Sequence, residues 1–200
     1  MGASYKKLIQ SYLAFKKQQA VGTNAAMQKL ASEGQHPEVM VLSCCDSRVD
    51  PALLFQCNPG DLFTVRNVAN IVPPYEMDAG HHGTSAALEY GICHLNVKHL
   101  IVLGHSQCGG IDAMLKMDDL TKNDFISRWV SLVDLNEGIS DAEQAAKQAL
   151  LQSYQQALTY PWIKERLDSQ TLDIHLWYFD IKSCDLYAYS FARQVYEVIV

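Results

Sequence analysis

Two short stretches carry residues suited to metal and acid–base chemistry. Val39-Met40-Val41-Leu42-Ser43-Cys44-Cys45-Asp46-Ser47-Arg48 is an apolar run that ends in two thiols, a carboxylate and a guanidinium. Ile101-Val102-Leu103-Gly104-His105-Ser106-Gln107-Cys108-Gly109-Gly110 ends in an imidazole and a thiol. Thiolates and imidazoles are the ligands zinc takes, and a catalytic zinc keeps three of them and leaves its fourth position open. His105 and Cys108, three apart across a strand-to-helix turn, can face one point, and Cys44 at the end of a neighbouring strand supplies the third donor. In extended chain Cys44, Asp46 and Arg48 share one side while Cys45 and Ser47 take the other. Cys44 is therefore the expected ligand rather than Cys45, and Asp46 and Arg48 form a pair beside the metal. Each piece alone reads more plainly as a buried thiol or a strand-end ion pair; the combination is what points to zinc.

The elements that must hold these residues are legible from pattern. Val39–Cys44 and His99–Leu103 are short, β-branched and bounded by polar residues, as buried parallel strands are. Ligands of an open parallel sheet bind in the crevice beyond the carboxyl ends of its strands, which is where the thiols and the imidazole fall. Leu62–Arg66 is a further strand after the turn at Pro59-Gly60-Asp61, and Leu172–Ile181 is a last core strand. Leu186–Phe191 returns as an antiparallel edge. The spacing predicts helices over 4–19, 25–32, 84–95, 111–116, 124–135 and 141–160, the last capped by Ser140 with Glu143 three positions on. Pro161 ends it, and Trp162–Leu167 adds a turn or two. Residues 67–82 form a long irregular stretch with Pro73-Pro74 and Gly80, and loops of that length are commonly functional. The fold class is α/β: a mostly parallel central sheet of about four strands plus an antiparallel edge strand, flanked by helices. One domain over 1–200 is expected, with 1–34 an N-terminal helical arm and 35–200 the zinc-binding core. The arm packs on a neighbouring subunit or on its own sheet, and both readings stand.

Composition narrows the function class. A chain of 200 residues with 48% hydrophobic residues can bury a sizeable core. Its net charge of −6 argues against nucleic acid, whose phosphates call for clustered Lys and Arg. No apolar run approaches the roughly 20 residues of a membrane helix, and no signal-peptide core follows Lys6 and Lys7, so a cytoplasmic location is expected. The six cysteines lie scattered in a chain too long to need disulfide staples.

Taken together, Cys44-Cys45-Asp46-Ser47-Arg48, Arg66-Asn67-Val68-Ala69-Asn70 and Gly104-His105-Ser106-Gln107-Cys108-Gly109-Gly110 resemble the signature blocks of the β-class carbonic anhydrases, over about residues 34–115. The resemblance implies one Zn2+ per chain on Cys44, His105 and Cys108, with Asp46 and Arg48 as the catalytic dyad. The branch whose aspartate closes onto zinc carries a tryptophan three residues before the first cysteine, where this chain has Val41. Gln35 and Val72-Pro73-Pro74-Tyr75 resemble the plant-type branch with an open zinc. Its substrate-pocket residues map to Gln35, Phe63 and Tyr90, and spacing alone would leave Phe63 and Tyr90 in the core. Cys45 stands where the family usually has Ser or Ala and is expected to be a small buried residue.

The implied reaction is reversible hydration of carbon dioxide to bicarbonate and a proton, with zinc acidifying the water that attacks. Two thiolates cancel the formal charge of Zn2+, so hydration should climb toward alkaline pH. Asp46, kept ionised by Arg48, accepts hydrogen bonds only, and Arg48 keeps it off the metal. The Gly109 N–H and Gln35 are expected to donate to a substrate oxygen. His81 and His82 are candidate proton shuttles. His36, His94, His99 and His175 read as surface or packing residues, and Cys57, Cys93 and Cys184 as small apolar fillers. The alternatives are hydrolysis of CS2 or COS at the same centre, and a non-catalytic zinc- or bicarbonate-binding module. The expected partners are the small-molecule substrate and further copies of the chain, as a homodimer or a multiple of dimers, with no nucleic acid and no membrane.

Overall fold

A computed structural model describes residues 2–20, 26–78, 80–116 and 124–199. They fall into two units that divide between His36 and Pro37. The N-terminal unit holds helices α1 (Ala3–Ala20) and α2 (Ala26–Glu33). Gly34 closes α2 at φ +82°, its N–H reaching Leu30 O, a left-handed cap that glycine adopts without penalty. The expected break at Val21-Gly22-Thr23-Asn24 lies outside the described residues.

The second unit is built on one sheet of six strands: β1 (Val39–Cys44), β2 (Leu62–Asn67), β3 (His99–His105), β4 (Asp173–Phe179), β5 (Leu186–Ser190) and β6 (Val195–Val198). Their order is β2-β1-β3-β4-β5-β6. The first four run parallel, and β5 and β6 return antiparallel. The parallel part and the edge hairpin partner β5 match expectation; β6 is an added strand, too short (Val195-Tyr196-Glu197-Val198) to announce itself.

β1 and β3 read as unbroken apolar runs because both faces are covered, as parallel strands require. Met40, Val41 and Leu42 are wholly buried, and so are Leu100, Val102 and Leu103. Helix α7 (Ala142–Ala157) covers one face through Ala145, Ala149 and Leu150. Gly104 of β3 lies so close to Leu150 that a Cβ there would come within 3.0 Å of it. Asp141, not Ser140, caps α7: its carboxylate accepts from Gln144 N at 2.8 Å. A charged acceptor at a helix N-terminus outcompetes a hydroxyl one residue earlier.

Around the sheet lie the shorter helices α3 (Pro51–Leu54), α4 (Gly83–Glu89), α5 (Gly109–Leu115), α6 (Phe125–Val130) and α8 (Pro161–Asp168). The stretch after β2 is irregular, as predicted, but firmly tied. Asn67 bonds both ways with Ile71, donating to its carbonyl and accepting from its N–H. Ser153 of α7 accepts from Val72 N, and the Tyr160 hydroxyl donates to Pro73 O. Ile71 and Val72 are fully buried, so this loop is part of the core.

Candidate metal centre

β1 and β3 are adjacent and in register, Ser43 opposite Leu103, so their carboxyl ends emerge side by side. Cys44 is the last residue of β1 and His105 the last of β3; Cys108 is the residue on which α5 begins. All three are buried, and one Sγ, one imidazole nitrogen and the other Sγ lie within 4.8 Å of one another. The two sulfurs are 3.7 Å apart.

The donor chemistry of this cluster fits a thiophilic divalent cation. His105 Nδ1 lies 2.8 Å from Ser106 O, a contact that requires a proton on Nδ1 and leaves the lone pair on Nε2. Nε2 is buried and has no hydrogen-bond partner, which a native interior rarely leaves uncompensated. The thiols titrate as a pair. The hydrogen bond from Cys108 pulls Cys44 well below the usual thiol range, and the same bond together with burial pushes Cys108 up. One proton leaves readily and the second is held, because two bare thiolates at this distance repel. A divalent cation lets both ionise and takes the orphan imidazole as well.

The loop beyond Cys44 is a turn rather than extended chain, with Val49 N donating to Asp46 O. That turn, not strand alternation, places the dyad. Arg48 Nε and backbone N–H both donate to Asp46 Oδ1 at 2.9 Å, and Nη2 donates to Oδ2 at 2.7 Å. The guanidinium holds the Asp46 carboxyl far below the usual carboxylate range. Arg48 also donates to Gln107 O at 3.1 Å, so it ties the loop after β1 to the loop after β3.

Arg66, on β2, has a role that the spacing did not expose. Its Nε donates to Cys44 O at 2.9 Å, Nη2 to Asp46 O at 2.7 Å and Nη1 to Asp50 Oδ2 at 2.6 Å. One planar fork thus fixes the backbone on both sides of Cys45. An arginine inside a half-buried strand was the available signal. On the other flank, Ser106 Oγ donates to Asp180 and accepts from Ile181 N, tying the end of β3 to the turn after β4.

Other expected site residues fall in several places. Gly109 follows Cys108, and nothing lies within 4 Å of where its Cβ would stand. Phe63 and Tyr90 do come together, ring centroids 5.8 Å apart. However, Phe63 sits opposite Met40 while Asn67 sits opposite Cys44. Four residues of strand, about 13 Å, separate that aromatic pair from the level of the thiols in the same chain. Gln35 belongs to the N-terminal unit, just after α2. His82 pairs with Asp78 at 2.7 Å and, with Cys45, lines a mainly apolar cleft of about 760 Å³ walled by Phe125, Ile126 and Trp129. His81 is exposed. Cys45 is exposed, not buried as expected, because β1 ends at Cys44 and the next side chain turns outward into that cleft. Cys93 and Cys184 are also exposed and Cys57 half-buried: Cys57 lies in the loop after α3, Cys93 in the helical turn that follows α4, and Cys184 in the turn between β4 and β5.

A family model described as carbonic anhydrase matches residues 39–186. The chain is 37% identical to Beta carbonic anhydrase 5, chloroplastic, of Arabidopsis thaliana, over 88% of this chain and 61% of that protein. It is 36% identical to a carbonic anhydrase of Synechocystis sp., over 80% of this chain and 62% of the relative. The chain thus spans about three fifths of the length of these relatives. Among solved structures it resembles the β-carbonic anhydrase CcaA, with a TM-score of 0.86 and 31% identity over 100% of this chain and 93% of that one. It also resembles one of two tetrameric β-carbonic anhydrases from Sordaria macrospora, with a TM-score of 0.79 and 29% identity over 94% and 97% of the two chains.

Proposed function

We propose that this chain, which belongs to the β-carbonic anhydrase family, catalyses CO2 + H2O ⇌ HCO3− + H+ with one Zn2+ held by Cys44, His105 and Cys108. The observation that carries the reading is the orphaned His105 Nε2 beside two buried thiols that share a hydrogen bond with each other. When bound, zinc supplies the Lewis acidity that makes a water nucleophilic near neutral pH. Three protein donors leave a position for that water. Asp46, two residues beyond Cys44, is a further potential donor, and Arg48 holds both of its oxygens.

The protein's own part lies with Asp46. Its Oδ1 already accepts two hydrogen bonds and its Oδ2 one. A carboxylate has about four acceptor positions, so Oδ2 keeps a free lone pair for the proton of the attacking water. Because Asp46 stays ionised, it accepts and never donates, which orients the water's own lone pair toward carbon. The Gly109 N–H and Gln35 donate to a substrate oxygen. Phe63 and Tyr90 supply an apolar wall for CO2. Their distance along the sheet from their own thiols supports a role at a second subunit's metal, in a homodimer or a multiple of dimers. His82, facing the cleft beside Cys45, is the better placed of the two shuttle candidates. The compartment that suits a chain with scattered, ligand-forming cysteines is a reducing one such as the cytoplasm.

The test pairs metal analysis with stopped-flow CO2 hydration. Stoichiometric zinc and turnover are expected, both lost in Cys108→Ala. Zinc without turnover of CO2 would refute the reading, and hydrolysis of CS2 or COS in its place would name the replacement. Mixing Cys44→Ala chains with Tyr90→Ala chains tests the shared site: a mixed oligomer more active than either parent is expected, and no recovery would place both residues within one chain's site.

A further inference from the structure

A second cluster of metal-ligating side chains stands at the opposite end of the sheet. β3 and β4 pair in parallel with His99 opposite Asp173 and Ile101 opposite His175. Side chains alternate along a strand, so His99, Asp173 and His175 share one sheet face at the amino ends of two neighbouring strands. One donor atom from each lies within 4.8 Å of the others. His175 Nε2 is 3.2 Å from His99 Nδ1, and His99 Nδ1 is 3.5 Å from Asp173 Oδ2. The rings are 5.3 Å apart by centroid. His99 begins β3 and His105 ends it, so about 20 Å of strand separates this cluster from the thiols.

We infer that His99, Asp173 and His175 form a second binding site for a borderline divalent transition-metal ion, Zn2+ or its like. Geometry is the first argument. Donors held about 2.0–2.1 Å from a tetrahedral metal stand about 3.3–3.4 Å apart. The two measured separations, 3.2 and 3.5 Å, straddle that value. Proton bookkeeping is the second. His99 Nδ1 faces an imidazole nitrogen and a carboxylate oxygen at once, and one nitrogen carries one proton or one lone pair. A proton there satisfies one neighbour and a lone pair the other; a single cation among the three satisfies all. Access is the third. The His99 and Asp173 side chains are 42% and 69% exposed, so an ion can enter and its remaining positions can hold water. Two imidazoles and one carboxylate suit zinc, cobalt or nickel, and poorly suit magnesium or calcium. The amine of Lys98, next to His99 in the chain, is taken by Glu38.

The site stands apart from the thiolate centre, so its test is independent of turnover. Untagged protein already carrying its tightly held zinc is titrated with Zn2+ by calorimetry, and in parallel with Co2+ by visible spectroscopy. One further equivalent per chain is expected, and the added Co2+ should show weak nitrogen–oxygen d–d bands without intense sulfur charge-transfer absorption. His99→Ala and the near-isosteric Asp173→Asn should each weaken this uptake more than about 100-fold, beyond what loss of an outer-shell partner costs, and leave the first zinc in place. Absence of a second equivalent at about 1 mM free Zn2+, a binding energy of only about 4 kcal/mol, would overturn the proposal. It would reduce the three residues to a hydrogen-bonded cluster that ties β3 to β4. So would a second equivalent that survives both substitutions, or cobalt bands with sulfur character.

Discussion

Gly109 and Gly110 stand side by side where α5 leaves the metal centre, and their substitutions should part ways. A Cβ on Gly110 would come within 2.7 Å of Ala69 Cβ and of Val68 Cγ1, and within 3.1 Å of Ala69 N. Ordinary carbon contacts are about 3.5–4.0 Å, so two carbons must each yield by roughly 0.8 Å or more. The Ala69 carbon and the backbone of the turn have little room to yield. Ala69 is fully buried, it sits at φ 62° and Asn70 follows at φ 47°, both left-handed. The turn is also tied down by Asn67 on one side and by the Trp129 indole, which donates to Val68 O, on the other. Overpacking of this kind costs about 1–3 kcal/mol. With a urea m-value near 2 kcal/mol/M, Gly110→Ala should lower the midpoint by about 0.5–1.5 M. Because α5 carries Cys108 at its start, part of that strain should appear as weaker zinc retention. A Cβ on Gly109 meets nothing within 4 Å. Gly109→Ala should therefore match or slightly exceed wild-type stability, by up to about 1 kcal/mol, because alanine restricts the unfolded chain. It should still slow CO2 hydration by filling the open space beside Cys108. The assay is urea unfolding at fixed protein concentration, with zinc content and stopped-flow rates on the same samples. Equal stability loss in both variants, or none in Gly110→Ala, would refute the packing argument; full activity in Gly109→Ala would refute the placement of substrate there.

Arg48→Ala should keep zinc and lose most hydration activity, since Asp46 loses its side-chain donors and is free to approach the metal; full activity in a zinc-loaded variant would remove the dyad's role. The pH dependence has a definite sign. The folded pKa of Asp46 is depressed, so its stabilising contribution is present above the ordinary carboxylate value of about 3.9 and is lost as pH falls through that value toward the lower folded one. The stability gap between wild type and Arg48→Ala should thus be open at neutral pH and narrow in acid, as measured by unfolding midpoints across pH. Arg66→Met removes the side-chain donor from the carbonyls of Cys44 and Asp46 and the cation paired with Asp50, and should cost about 1–3 kcal/mol, with faster zinc loss to a chelator. Arg66→Lys should recover only part, because an ammonium cannot reproduce the fork. Stripping zinc should lower the thermal midpoint, and His105→Ala should do the same without chelator; a midpoint indifferent to metal would exclude coupling between the centre and folding.

Much of this architecture was legible before any coordinates. Parallel strands covered on both faces must be apolar along their whole length, so Val39–Cys44 and His99–Leu103 declared themselves, the second running two residues further to His105, and polar chemistry at their carboxyl ends stood out against them. Alternation favoured Cys44 over Cys45 on the premise of an extended chain that the turn after β1 does not follow; Cys44 is nevertheless buried at the strand end and Cys45 exposed beyond it. Short elements were harder: β6 has four residues, too few to show a period. The cap of α7 moved by one residue because two capping side chains adjoin, and local preference does not rank them.

What the sequence by itself determined is the inventory and its local order: which donors exist, which follow a strand end, and which family they resemble. What only the tertiary structure decided is who meets whom across long separations. Arg66 reaching Cys44 and Asp46, Gly110 lying against Ala69, and Phe63 standing with Tyr90 but far from its own thiols all depend on strand order and register. So does the meeting of His99 with Asp173 and His175, residues more than seventy positions apart in the chain. The physical reason is that parallel pairing joins segments whose sequence distance is set by intervening helices, and a one-residue change of register would turn the strand-borne side chains among these to the opposite face.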